Sequence, residues 1–188
     1  MADGAPLLHY SFKEYVAFER DAREKHEFVS GLILAMAGGT LEHSALCSAV
    51  IVSLGSQLSG QRCRVYDSNA RVRVRESGNA YYPDASVVCD RVERDPDDSP
   101  SLTNPVVLVE VLSPSTEQYD RTDKFTDYRK IPSLRHIVHV AHDKPQLDVW
   151  TLTAGKWDLR RFTAGQQAAL SAIDCTLDVA ELYRDPLA

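Results

Sequence analysis

A chain of 188 residues is long enough for one domain with a sizeable core and short for two. With 44% hydrophobic and 26% charged residues it has the composition of an ordinary globular protein, which excludes a disordered or fibrous chain. The net charge of −6 argues against general binding to nucleic-acid backbones, although local basic patches and bound metal ions can override so modest a balance.

The sequence opens on "MADGAPLLHY", which has neither a basic n-region nor an apolar h-region, and no later stretch reaches the length of a membrane span. A cytoplasmic domain covering 1–188 with no membrane partner is therefore expected. Cys47, Cys63, Cys89 and Cys175 are scattered without a C-x-x-C pair, and in that setting they read as reduced core thiols.

Taken in order, "SFKEYVAFER" (11–20) starts with Ser11 and carries Glu14 three residues on, a capping box that opens a short amphipathic helix. "EFVSGLILAMAG" (27–38) predicts two strands turning at Ser30–Gly31, and a longer apolar helix follows over 41–60 with Gly60 as its stop. Strands come next: "RCRVYD", "ARVRVRE", a "SGN" turn, and "YYPDASVVCD". The polar, proline-bearing segment 91–105 predicts a surface loop.

Residues 106–112, "VVLVEVL", form an apolar run suited to a strand buried on both faces, yet Glu110 sits in its middle. "SPST" breaks that strand, and Ser115 with Gln118 predicts a second capping box for a helix running to about Arg129. "RHIVHVAH", "QLDVWTLT" and "KWDLRRF" predict three more strands, and "TLDVAELY" a terminal helix. The interleaving of helices and strands predicts an α/β fold around a central mixed β-sheet.

A glutamate in a doubly buried strand needs a partner. Asp84 stands at the start of the preceding predicted strand, just after Pro83, where a proline is tolerated. If the two strands are neighbours, the carboxylates of Asp84 and Glu110 converge, and a shared divalent cation relieves their repulsion. Asp120, Lys124 and Tyr128 recur at i, i+4 and i+8 on the following helix, so Lys124 can aim its ammonium at the pair. In phosphodiester hydrolysis such a lysine positions water or neutralises charge developing on the phosphate.

The segments "YYPDASVVCD", "NPVVLVEVLSPST" and "YDRTDKFTDYRKIPSLRHIVHV", together with the earlier "HEFVSGLILAMAGGTLEH", resemble a large bacterial family of restriction endonuclease-like proteins within the PD-(D/E)xK nuclease superfamily. The resemblance runs from about Ser11 to Tyr183. It implies a restriction-endonuclease-like core, Mg²⁺ or Mn²⁺ as cofactor, and an acid pair at Asp84 and Glu110. It further implies that Glu27 supplies an acid from the first core element. The superfamily lysine belongs two residues after the second acid, and that position here is Leu112. The resemblance implies that Lys124 takes its place.

The sequence thus predicts a metal-dependent nuclease acting on nucleic acid, with DNA expected, and a homodimer because two strands need cutting. Asp84 and Glu110 are the expected metal ligands, with the Val111 backbone carbonyl as a third. A non-catalytic binding or assembly module on the same fold is the alternative, favoured by the displaced lysine and the acidic charge. A carboxylate-pair glycosidase has no substrate-groove signal in its favour.

Blander readings apply elsewhere. Glu110 alone suggests an ion pair with an arginine, and Lys124 alone a solvated pair with Asp120. Arg71, Arg73 and Arg75 alternate on one strand face, which reads either as a phosphate-facing row or counter-charge to the acids, or as a solvated sheet face. His43, early in the long helix, is placed where it could approach the site, but a satisfied or exposed histidine is the preferred reading. His136, His139 and His142 do not make a metal cluster, because His139 faces opposite to the other two on a strand. Trp150 and Trp157 read as packing residues.

Overall fold

The structure is a computed structural model, and it describes residues 8–36 and 38–184. Helix α1 (Phe12–Asp21) begins at the expected capping box: Ser11 accepts from the Glu14 backbone and Glu14 reaches back to the Ser11 backbone. Strands β1 (His26–Val29) and β2 (Leu32–Ala35) pair across Ser30 and Gly31, both in the left-handed region with φ of 51° and 83°. Two consecutive left-handed residues are what a tight hairpin turn needs. Helix α2 (Leu41–Gln57) is capped by Thr40 and buries Leu46, Val50 and Leu54 along one stripe.

Among the described residues the strands form two six-stranded sheets and one small pair. The first sheet runs β2-β1-β5-β4-β8-β7, with β4 (Val72–Val74), β5 (Asn79–Tyr81), β7 (Arg94–Asp95) and β8 (Asp98–Leu102). The second runs β12-β11-β10-β9-β6-β3, with β3 (Cys63–Asp67), β6 (Ala85–Cys89), β9 (Val107–Val111), β10 (His136–Val140), β11 (Gln146–Thr153) and β12 (Lys156–Thr163). A short hairpin of β13 (Gln167–Leu170) and β14 (Cys175–Asp178) leads into helix α5 (Val179–Leu182).

Strand β9 lies inside the second sheet, and all five of its residues are buried. Val107, Val109 and Val111 face a core shared with α2, β14 and α5, while Leu108 faces a second core built from Val72, Tyr81, Phe125, Tyr128 and Ile137. Each fully buried Val or Leu here contributes roughly 1.5–3 kcal/mol. Strand β9 pairs antiparallel with β6 and parallel with β10. A parallel neighbour requires a crossover, and the chain supplies it as α3 (Glu117–Tyr119), a π-helical turn at Asp120–Lys124 and α4 (Phe125–Tyr128).

Four expectations need correction. Residues 91–105 are not merely a loop, because they carry β7 and β8; the buried carboxylate of Asp98 pairs with Arg71 and that of Asp95 lies near Arg73. Arg71 is accordingly buried rather than solvated: it donates to Tyr15 and Ser101 and pairs with Asp98 at 2.7 Å. Arg73 lies 3.8 Å from Asp95, with its guanidinium over the Phe12 ring. Arg71 and Arg73 are counter-charge to these acids and not to Asp84 or Glu110, whereas Arg75 is exposed and donates to the Arg94 carbonyl.

Cys63 and Cys89 are not reduced thiols but a disulfide, formed because the β3–β6 register sets them directly opposite each other. Cys47 and Cys175 remain free. The second capping box is also absent: α3 starts after Thr116 without a side-chain cap, and Ser115 instead contacts Ser113.

Candidate active site

The β6–β9 register pairs Ala85 with Val109, which sets Asp84 beside Glu110 just past the end of the β6–β9 pairing. The Asp84 carboxylate accepts a hydrogen bond from the Val111 backbone N–H at 2.7 Å. Proline at 83 cannot donate to the ladder, so β6 begins just beyond it and Asp84 stays outside the regular pairing.

Glu110 is 4% exposed and has two partners. Tyr128 donates its hydroxyl at 2.5 Å, and the Lys124 ammonium stands 3.1 Å away. Lys124 also lies 2.9 Å from Glu27 and 3.6 Å from Asp120, and it is itself buried. Glu27, carried on β1 of the other sheet, accepts a long 3.4 Å bond from the Tyr82 backbone N–H. Lys124 is therefore the junction of the two sheets. The helical periodicity that placed Asp120, Lys124 and Tyr128 on one face is realised, since Lys124 and Tyr128 reach Glu110 and Asp120 flanks the ammonium.

The electrostatics are lopsided. Glu110, Glu27 and Asp120 crowd one lysine, and Asp84 adds its charge beside Glu110. Burial pushes Glu110 well above the ordinary carboxylate value, and Asp120 and Asp84 add to the rise against the pull of Lys124 and Tyr128. Asp120 is raised as well, chiefly by burial. Burial alone would depress Lys124, but Glu110, Glu27 and Asp120 outweigh it and hold the ammonium firmly charged. The donor set is one of hard oxygens with more negative charge than a single ammonium balances. Carboxylate oxygens are the donors that Mg²⁺ and Mn²⁺ prefer, so the donor type suits such an ion.

Two residues that read in the sequence as a satisfied or exposed histidine and a core thiol stand beside Asp84. His43, on the first turn of α2, sets Nε2 3.5 Å from Asp84, and this hydrogen-bonding contact raises its pKa against the effect of burial, with the Val111 backbone adding to the rise. Cys47, one turn on, has its thiol raised by burial and by Asp84. The i, i+4 spacing of His43 and Cys47 was the available signal. Two of the strand histidines, His136 and His139, have unlike surroundings. His136 contacts Thr151 and the Ala172 backbone, whereas both ring nitrogens of His139 are buried without a partner among the described residues. Burial pushes each down to about 4. Trp150 and Trp157 pack beside Phe125, as expected.

The comparisons with known proteins agree with this architecture. A 1.96 Å crystal structure of a "putative nuclease" of the DUF820 group from Anabaena variabilis superposes with a TM-score of 0.75 at 18% identity, over 91% of this chain and 96% of that one. Two uncharacterized proteins of Synechocystis (strain PCC 6803) are similar in sequence. The protein slr1290 is 34% identical over 96% of this chain and 94% of its own length, and sll1609 is 32% identical over 66% and 71%. No helix among the described residues is long and apolar enough to cross a membrane. Residues 12–180 match the family model described as "Uma2: Putative restriction endonuclease", and the chain belongs to that nuclease-like family with a restriction-endonuclease-like fold.

Proposed function

We propose that this protein is a divalent-cation-dependent nuclease that hydrolyses phosphodiester bonds in DNA. The single observation that carries the reading is the convergence of Asp84, Glu110, Glu27 and Lys124 from four separate parts of the chain. Buried charges on this scale are costly to keep without a use.

Asp84 and Glu110, with the Val111 carbonyl, would hold the ion, and Glu27 would assist from the opposite sheet. The cation supplies Lewis acidity at the phosphate and activates water at neutral pH. Lys124 carries a fixed positive charge that neutralises charge developing on the phosphate, a role worth several kcal/mol in a site shielded from water. Tyr128 holds Glu110 in one rotamer by its hydroxyl, and Asp120 helps fix the lysine.

A second reading, a non-catalytic module of the same fold, is favoured by the contacts of Lys124 with three carboxylates. Plasmid nicking in Mg²⁺ or Mn²⁺ separates the two. Nuclease action predicts cleavage that falls by about 10²-fold or more in Asp84→Asn, Glu110→Gln and Lys124→Met. Calorimetry that detects no Mg²⁺ or Mn²⁺ uptake by the wild type refutes the nuclease reading. Uptake without cleavage of DNA or RNA supports the module. Cutting both strands of a duplex calls for two sites, so we take the active form to be a homodimer, which sedimentation of the protein on DNA measures.

A further inference from the structure

Beside the oxygen-rich cluster lies a group of different chemistry. One ring nitrogen of His43, the Cys47 sulfur and one Asp84 carboxylate oxygen all lie within 4.8 Å of one another. The His43 Nε2 to Asp84 Oδ2 separation is 3.5 Å, and the Cys47 sulfur is 4.0 Å from the same nitrogen. A tetrahedral zinc ion with bonds of about 2.0–2.3 Å sets its ligand atoms roughly 3.3–3.7 Å apart. The histidine–aspartate edge already has that length, the histidine–cysteine edge is a few tenths of an ångström long, and the cysteine–aspartate edge lies within 4.8 Å. All three side chains are partly exposed, so an ion has access.

The scaffold suits such a site. His43 and Cys47 are one helical turn apart on the 17-residue helix α2, whose Thr40 cap fixes its first turn by accepting from the His43 N–H. Asp84 is anchored independently by the Val111 N–H. Two rigid elements thus present an imidazole, a thiol and a carboxylate to one point.

We propose that His43, Cys47 and Asp84 form a binding site for a thiophilic divalent ion of the Zn²⁺ class, distinct in ligand chemistry from the Mg²⁺-type site but sharing Asp84 with it. Thiolate and imidazole select zinc over magnesium, whereas carboxylate and carbonyl oxygens favour the reverse. Zinc bound there draws on the Asp84 carboxylate that the oxygen-rich site also uses, so the two sites are coupled through Asp84. That consequence for cleavage rests on the proposed nuclease function; the binding itself does not.

Cobalt(II) is the probe, because thiolate coordination gives it a charge-transfer band in the near ultraviolet and tetrahedral geometry gives intense visible bands. The intact protein is titrated under argon without thiol reductant, so that Cys63–Cys89 stays bonded. The expected result is a charge-transfer band that saturates at one equivalent, is displaced by one equivalent of Zn²⁺ and survives excess Mg²⁺. Cys47→Ser removes the band, His43→Ala weakens Co²⁺ binding by about tenfold or more, and Cys175→Ser leaves both unchanged. A wild type without the thiolate band overturns the proposal, as does a band that persists in Cys47→Ser or vanishes in Cys175→Ser. The cobalt spectrum is read without DNA, so loss of the nuclease reading and loss of this site are separate results.

Discussion

Replacing Lys124 with methionine removes the one ammonium that lies among Glu27, Glu110 and Asp120 while keeping most of the side-chain volume. Breaking a buried ion pair by removing one partner generally costs about 3–5 kcal/mol. Here the cost has a ceiling, because a stranded carboxylate can escape by taking up a proton. Protonating one carboxyl of ordinary value 4.5 at pH 7 costs about 3 kcal/mol at roughly 1.4 kcal/mol per unit. At pH 5 the same escape costs less than about 1 kcal/mol.

The sign is fixed by linkage. Between the unfolded value and its raised folded value, such a carboxyl binds more protons folded than unfolded, so stability falls as pH rises. Lys124 itself has a folded pKa above 10.5; its contribution is fully present below that value and is lost only as pH climbs through the folded one. Urea unfolding of wild type and Lys124→Met, followed by the fluorescence of Trp150 and Trp157, should therefore show a destabilisation near 3 kcal/mol at pH 7 that shrinks toward pH 5. A difference that is the same at both pH values refutes the reasoning. A variant more stable than wild type at pH 7 would mean that desolvation of the lysine outweighs its three attractions.

Tyr128→Phe deletes the hydroxyl that Glu110 accepts at 2.5 Å, and unfolding should register a loss of roughly 1.5–3 kcal/mol at pH 7, smaller at pH 5 where the glutamate protonates more readily. Asp127 is different: burial would raise its pKa, but hydrogen bonds from Lys130, Ser77, Asn79 and Tyr81 outweigh it and hold it below 3.8. Its stabilisation is present above 3.8 and is lost as pH falls through the folded value, so acid titration of Asp127→Asn should show lower stability near neutrality and a flatter acid limb. Cys63→Ala/Cys89→Ala opens a link spanning 26 residues, and the midpoint in urea should fall by an amount worth about 3 kcal/mol. Dithiothreitol should destabilise the wild type comparably and the double variant not at all.

What the sequence disclosed depended on whether a residue's partner was local or distant. The capping box at Ser11 and Glu14, the hairpin turn at Ser30–Gly31 and the doubly buried strand of Glu110 follow from short-range pattern, and each is found. Lys124 and Tyr128 were legible as one helical face, because a spacing of four residues, about one turn, fixes that relation. Arg71 was not: the partner that buries it, Asp98, lies on a strand hidden in a polar segment rich in turn formers, and no local rule joins them. The same holds for Cys63 and Cys89, whose bond depends on strand register, and for His43, whose contact with Asp84 depends on how α2 crosses the sheet.

The π-helical turn at Asp120–Lys124 has a consequence for how the lysine is aimed. In an unbroken α-helix, residues four apart drift by about 40° around the axis, so three such positions fan across some 80°. A π turn advances less per residue and carries the drift backward, which the following α turn then undoes. Asp120, Lys124 and Tyr128 thus line up nearly parallel to the axis and can all bear on Glu110 and its surroundings. The single extra residue acts as an angular shim. Deleting Thr122 or Asp123 would leave the helix and the ammonium intact while rotating Lys124 away from the acids it serves.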